Sequence, residues 1–158
     1  MNGYSYGGFW RRVMATVIDQ VILGLLYAIL FVIGSLSGLP ASKIYGGPAT
    51  GAAWGLLILY QSFCVVVHAA YYTYFHGVTG RTPGKAALGL KVIQVSGDEL
   101  TLGVAFLRWV GYWVSSLCLS LGYLWVAFDP RKQGWHDKIA GTLVVRGEQK
   151  DLDKGVEI

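Results

Sequence analysis

Gly8-Phe9-Trp10-Arg11-Arg12-Val13-Met14-Ala15-Thr16-Val17-Ile18-Asp19-Gln20-Val21-Ile22 sets a carboxylate inside an apolar run long enough to cross a bilayer. From Val13 to Gly34 no other formal charge interrupts the run. An Asp at the centre of a membrane helix costs about 2.5–3.5 kcal/mol on insertion scales, so such a residue faces a protein interior or a watery cavity and takes a partner there. Asp19 is therefore the first candidate functional residue. Arg12 and Asp19 project from nearly one helical face, but seven residues rise about 10 Å, too far for an easy pair within the helix. Arg12 is expected to snorkel to the headgroups and Asp19 to find its partner elsewhere.

Working outward, the composition agrees with this reading. Of 158 residues, 54% are hydrophobic and 14% charged, the balance of an integral membrane protein and not of a soluble domain. The formal charge of +4 sits beside apolar runs, which argues for anionic lipid headgroups as partner and against nucleic acid. Cys64 and Cys118 lie inside apolar runs, so neither a disulfide framework nor a zinc site is expected. A secretory leader is a poor fit, because the first run is long, contains Asp19 and lacks an A-x-A-like cleavage site after it. Residues 1–10, with three glycines and four aromatic residues, read as a flexible start leading to an interface anchor.

Helix 1 is expected over about 11–35 and helix 2 over about 51–75, separated by a loop with the breakers Ser37-Gly38-Leu39-Pro40 and Gly46-Gly47-Pro48. Gln61, Cys64, His68 and Tyr72 share one face of helix 2, the face expected to turn towards protein. If the two helices are antiparallel neighbours, His68 reaches the depth of Asp19 and is its candidate partner; packing against a backbone carbonyl is the plainer role for the same histidine. Thr82-Pro83-Gly84-Lys85 does not match a phosphate loop, since Gly80 and Gly84 enclose three residues and Ala86 follows the lysine. It reads as a turn with Arg81 and Lys85 near headgroups, followed by a short strand over Leu88–Val95.

The third apolar run, about 104–128, has Arg108 near its start and is interrupted by Gly111, Ser115, Ser116, Ser120 and Gly122. It is either a single third span or a re-entrant, broken helix. A third crossing would divide the basic residues evenly between the two sides. Re-entry places every Lys and Arg except Lys43 on one side, as the positive-inside rule favours. It also lets Thr142-Leu143-Val144-Val145 pair with Leu90–Val95 in a two-stranded β element on the cytoplasmic side. The fold class expected is thus an all-α membrane protein with two full transmembrane helices, a third apolar segment and this small β element. One membrane domain covers 1–146, and 147–158 is a polar tail expected to be disordered. In the segment Trp135-His136-Asp137-Lys138, His136-Asp137 could relay protons or hold a basic partner, but the favoured local reading is that Asp137 fixes the turn by hydrogen-bonding backbone amides or pairs with Arg108.

Three ordered motifs together resemble the RDD family of small bacterial membrane proteins: Gly8-Phe9-Trp10-Arg11-Arg12 with Ile18-Asp19, Thr82-Pro83-Gly84-Lys85 with Leu88-Gly89-Leu90-Lys91-Val92, and His136-Asp137-Lys138-Ile139-Ala140-Gly141-Thr142. The family is named for an arginine at the start of the first helix and two aspartates. The resemblance implies that Arg12 and Asp19 fill the first two places and Asp137 the third, with Arg11 and Asp129 as lesser claimants. His68, Arg108 and His136 are the supporting candidates.

Two functions are weighed. In the first, the chain transports or exchanges a small cation or proton at Asp19, with Asp137 and Arg12 balancing charge, and assembles as a homo-oligomer through faces such as Gly51-x-x-x-Gly55 and Gly111-x-x-x-Ser115. In the second, it is a non-transporting scaffold or accessory subunit whose Arg and Asp residues form a polar lock. No nucleophile with a base, metal cluster or cofactor loop is visible, so no enzyme activity and no cofactor are expected. The location expected is the inner cell membrane, multi-pass, with a cytoplasmic N-terminus.

Overall fold

A computed structural model describes residues 5–36, 51–117 and 121–147. The expected loop around Lys43, Cys118, Ser120 and the tail from 148 onward lie outside the described residues. In chain order the elements are β1 (Ser5–Tyr6), α1 (Phe9–Leu36), α2 (Gly51–Thr79), α3 (Pro83–Ala87), β2 (Leu90–Gln94), α4 (Leu102–Leu117), α5 (Leu121–Phe128), α6 (Trp135–Ile139) and β3 (Thr142–Arg146). Helices predominate, as expected, and α1 and α2 both extend beyond the limits read from the sequence. The chain divides into two compact units, one of residues 1–19 with 71–158 and one of residues 20–70.

The first unit is built on a three-stranded antiparallel sheet of order β1-β3-β2. β2 and β3 pair in the register Leu90 with Arg146 through Gln94 with Thr142, the pairing expected from their β-branched runs. The third strand was not expected. Ser5 and Tyr6 pair with Arg146 and Val145, and the Gly7 amide donates to the Val144 carbonyl, so residues 5–7, expected to be flexible, are tied to β3. One face of the sheet, Leu90, Val92 and Val144, packs on Ala15, Leu100 and Ala105. Ile93, Leu143 and Val145 pack on the other side with Tyr6. Burial on both faces explains why these strands read as apolar runs without clean alternation.

The third apolar run is two helices. α4 and α5 are bent by 99° at the break between them, and Tyr123 on α5 donates its hydroxyl to the Tyr112 carbonyl on α4 at 2.9 Å. The Gly111-x-x-x-Ser115 stripe is used inside this unit. A Cβ at Gly111 would sit 2.8 Å from His136 Cα, so its absence lets α4 lie directly against α6. Ser115 lies behind Gly122 and within 3.4 Å of His136 Nδ1.

The second unit holds the distal part of α1 and most of α2. The Tyr27 hydroxyl donates to the Cys64 carbonyl at 3.2 Å, and the Tyr60 hydroxyl donates to the Tyr27 carbonyl at 3.3 Å. Phe31 and Tyr60 meet edge to face at 6.2 Å. Val21, Leu25, Ile29, Ile58, Leu59 and Val66 are exposed, more large apolar side chains than a soluble surface of this size ordinarily shows. On the face expected to turn inward, Cys64 and His68 are half-buried, whereas Gln61 is exposed. Among the described residues, Phe9–Gly34 is long and apolar enough to cross a membrane, and α4 with α5 meets that measure only when taken together across their bend.

Candidate functional site

Both family-motif aspartates lie in the first unit, each fully buried and each surrounded by donors. Around Asp137 the arrangement is an ion triad. Arg12 at the start of α1 donates from Nη1 to Asp137 Oδ2 at 2.6 Å, and Arg108 on α4 pairs through Nη1 with Oδ1. The Gly134 amide adds a bond to Oδ2 at 2.9 Å, because Asp137 sits three residues into the short helix α6 and turns back to its first free amide. Both guanidiniums have further acceptors. Arg12 donates from Nε to the Gly7 carbonyl at 2.9 Å and from Nη2 to the Lys132 carbonyl at 2.5 Å. Lys132 has a φ of 52°, a left-handed conformation rare outside glycine and asparagine. Arg108 reaches the Thr142 hydroxyl as well, and its Nε donates to the Tyr112 hydroxyl at 3.2 Å.

Arg12 therefore does not snorkel. It is 9% exposed and folds back over the end of the sheet, because a carboxylate and two carbonyls are offered there together. Burial alone would raise the Asp137 carboxyl, but Arg108 and then Arg12, with the Gly134 amide, hold it well below the usual carboxylate range. Burial does the opposite to His136, pushing its imidazole down to about 3, with Asp137 opposing and the two arginines reinforcing the fall. His136 is thus neutral at physiological pH and wedged between Tyr112 and Tyr123, with ring centroids at 4.7 and 5.3 Å.

Asp19 is held by different chemistry. The Thr82 hydroxyl donates to Oδ2 at 2.5 Å, while the Gly84 amide and the Tyr71 hydroxyl donate to Oδ1 at 2.8 and 2.9 Å. The expected partner, His68, belongs to the other unit; within the first unit these three groups are the donors to Asp19. The local sequence explains how. Thr82 caps α3, its oxygen accepting the Lys85 amide at 3.3 Å while its proton goes to Asp19. Pro83 opens the helix where no amide proton is needed, so the next free amide, Gly84, points at the carboxylate. Only glycine fits there, since a Cβ would lie 2.2 Å from the Ala15 carbonyl and 2.9 Å from Asp19.

Lys85, expected at the headgroups, is also buried, with Nζ at 2.9 Å from His76 Nε2. Asp129 fixes the preceding turn by accepting from the Arg131 and Gln133 amides, both at 3.1 Å, and pairs with Lys138 at 2.5 Å. Of the candidates read from the sequence, Arg12, Arg108, His136 and Asp137 are brought into one cluster, Asp19 lies in a second, and His68 joins neither within the first unit. Tyr71, Thr82, Gly84, His76 and Lys85 stand outside the candidate site residues read from the sequence. The threonine-proline-glycine turn following a helix was the available signal for Thr82 and Gly84.

A helical chain with a long apolar span, an apolar outer surface and two carboxylates sunk in its interior is a small membrane protein. The family model of the RDD family matches residues 6–141, and the chain belongs to that family. It is 33% identical over 145 residues to the uncharacterized membrane protein YteJ of Bacillus subtilis, covering 90% of this chain and 82% of that protein. It is 30% identical over 145 residues to the protein YxaI of the same organism, covering 87% of this chain and 95% of that one. The proline-rich antigen of Mycobacterium leprae is 28% identical over 151 residues, covering 85% of this chain and 59% of the antigen. No solved structure matches the chain.

Proposed function

We propose that this chain is a multi-pass scaffold or accessory subunit of the inner membrane, in which the Arg12, Asp19 and Asp137 motif is a polar lock and not an ion-exchange site. One observation carries the reading: both carboxylates are completely buried and already saturated, Asp137 by two guanidiniums and an amide, Asp19 by two hydroxyls and an amide. A carboxylate that takes up and releases a cation needs oxygen atoms open to it. Asp19 would have to shed three donors to become one, each worth about 1.5–3 kcal/mol when made to a charged group.

In this reading α1 and α2 cross the bilayer and α4 with α5 enters and returns. The pairing of β2 with β3 supports the return, because the strands flank that segment and must lie on one side to bond. The position of every Lys and Arg except Lys43 within residues 1–19 and 71–158 supports a cytoplasmic face for the first unit. The polar lock then holds the chain's start, the turn after α2 and the last helix to one another beneath the bilayer.

Reconstituted vesicles test the reading. Wild type and Asp19→Asn are expected to leave imposed proton, sodium and potassium gradients equally intact, while the variant unfolds at lower temperature. Cation flux in wild type that disappears in a folded Asp19→Asn protein would establish transport at Asp19 and overturn the lock.

A further inference from the structure

We infer that Lys85 and His76 form a single-proton binding site, separate from the two carboxylate clusters and distinct from the Arg12, Asp19 and Asp137 set. Two nitrogen bases lie 2.9 Å apart, Lys85 at 5% exposure and His76 at 0%. At that distance one N–H must point at one lone pair. An ammonium facing an imidazolium has no lone pair on either nitrogen, so the doubly protonated state breaks the contact. Two states keep it. With one added proton the pair carries a single positive charge, as ammonium donating to imidazole or as imidazolium donating to amine. When that proton leaves for water, the neutral amine still donates an N–H to Nε2, and no side chain has to move.

The surroundings poise the pair between these two states. Among the described residues His76 is the hydrogen-bond partner of Lys85 Nζ, and neither aspartate contacts it, because the oxygens of Asp19 and Asp137 are engaged elsewhere. A buried ammonium held by one neutral acceptor gives up its proton more easily than one paired with a carboxylate. The groups facing the pair come from four elements: Asp19 on α1, Tyr72 on α2, Arg108 and Tyr112 on α4, and His136 and Asp137 on α6. Burial lowers the affinity of Lys85 for its proton, Arg108 lowers it further, and Tyr112, Asp19 and Asp137 oppose them. The Tyr72 ring stacks on His76 at 5.8 Å and touches Tyr112 at 5.5 Å, closing the pair from that side.

Nitrogen NMR of the full chain in lipid nanodiscs, with 15N-lysine and 15N-histidine, reads the pair directly. The Lys85 and His76 signals are expected to titrate together at one shared midpoint below the ordinary lysine value of about 10.4. One proton in total should be released, with no His76 step near the ordinary imidazole value of about 6.5. His76→Gln assigns the ring and should move the Lys85 midpoint, since an acceptor remains but the second base is gone. Lys85→Arg keeps a donor to His76 while fixing the charge, so the shared step should vanish and potentiometry should count one proton fewer over that range. Independent steps near the two ordinary values, or a step that survives in folded Lys85→Arg, would overturn the site.

Discussion

The two units of this chain are stabilised by different means. Residues 1–19 with 71–158 hold a sheet, four short or broken helices and a dense set of ionic and hydrogen-bonded contacts around Asp19 and Asp137. Residues 20–70 hold long apolar helix surface and a pair of tyrosine hydroxyls on backbone carbonyls. In the first, every buried charge depends on a named partner, so one deletion leaves an uncompensated ion. In the second, the exposed surface is aliphatic, and exchange of one aliphatic side chain for another changes little there. Among the described residues, the ion pairs lie in the first unit.

The largest expected effect comes from breaking the triad. Asp137→Asn keeps the shape but leaves Arg12 and Arg108 buried without a counter-ion, at a cost of about 3–5 kcal/mol. Hydrogen exchange should show lost protection in the sheet and α4 while the amides of 20–70 stay protected; uniform loss across both units would mean that they share one cooperative transition. The next effect is acid sensitivity. His136 is neutral when folded down to about 3, whereas the unfolded imidazole binds its proton near 6.5, so the unfolded state binds more protons across that window. Stability is therefore complete above about 6.5 and falls as pH drops towards 3, by on the order of a few kcal/mol, and His136→Gln should flatten the slope. The Asp137 carboxyl, held well below the usual range when folded, adds to the fall: its contribution is complete above the ordinary carboxylate value of about 3.9 and is lost progressively as pH drops below it. Thermal unfolding at stepped pH checks the sign. The smallest effect belongs to the other unit, where Tyr27→Phe removes one hydrogen bond to Cys64 and should cost about 0.5–1.5 kcal/mol, with no change in the acid slope.

The elements with strong periodicity or β-branched runs were legible in the sequence: α1, α2, and the β2 to β3 pairing across the third apolar run. β1 was not, because two residues are too few to show a period. The interruption of the third run by Gly111, Ser115 and Gly122 marked a break, and the sequence left open that these small residues seat α6 and α5 within the chain. For the site, helical rise argued correctly that Arg12 and Asp19 do not pair, but rise speaks only of one helix. It gives no position to a turn that folds back, so Thr82 and Gly84 were missed as the donors to Asp19. Nor does it foresee that residues 12 and 137, separated by 125 positions, meet at 2.6 Å.

β3 lies at the centre of its sheet, between the chain's first strand and β2. A ribosome releases Ser5–Tyr6 and Arg12 before Asp137 and Thr142–Arg146, so β1 waits without its neighbour and the arginine without its carboxylate until those residues emerge. Asp19 waits less, until Thr82 and Gly84 emerge. The order of synthesis thus allows the Asp19 contact to close before the triad.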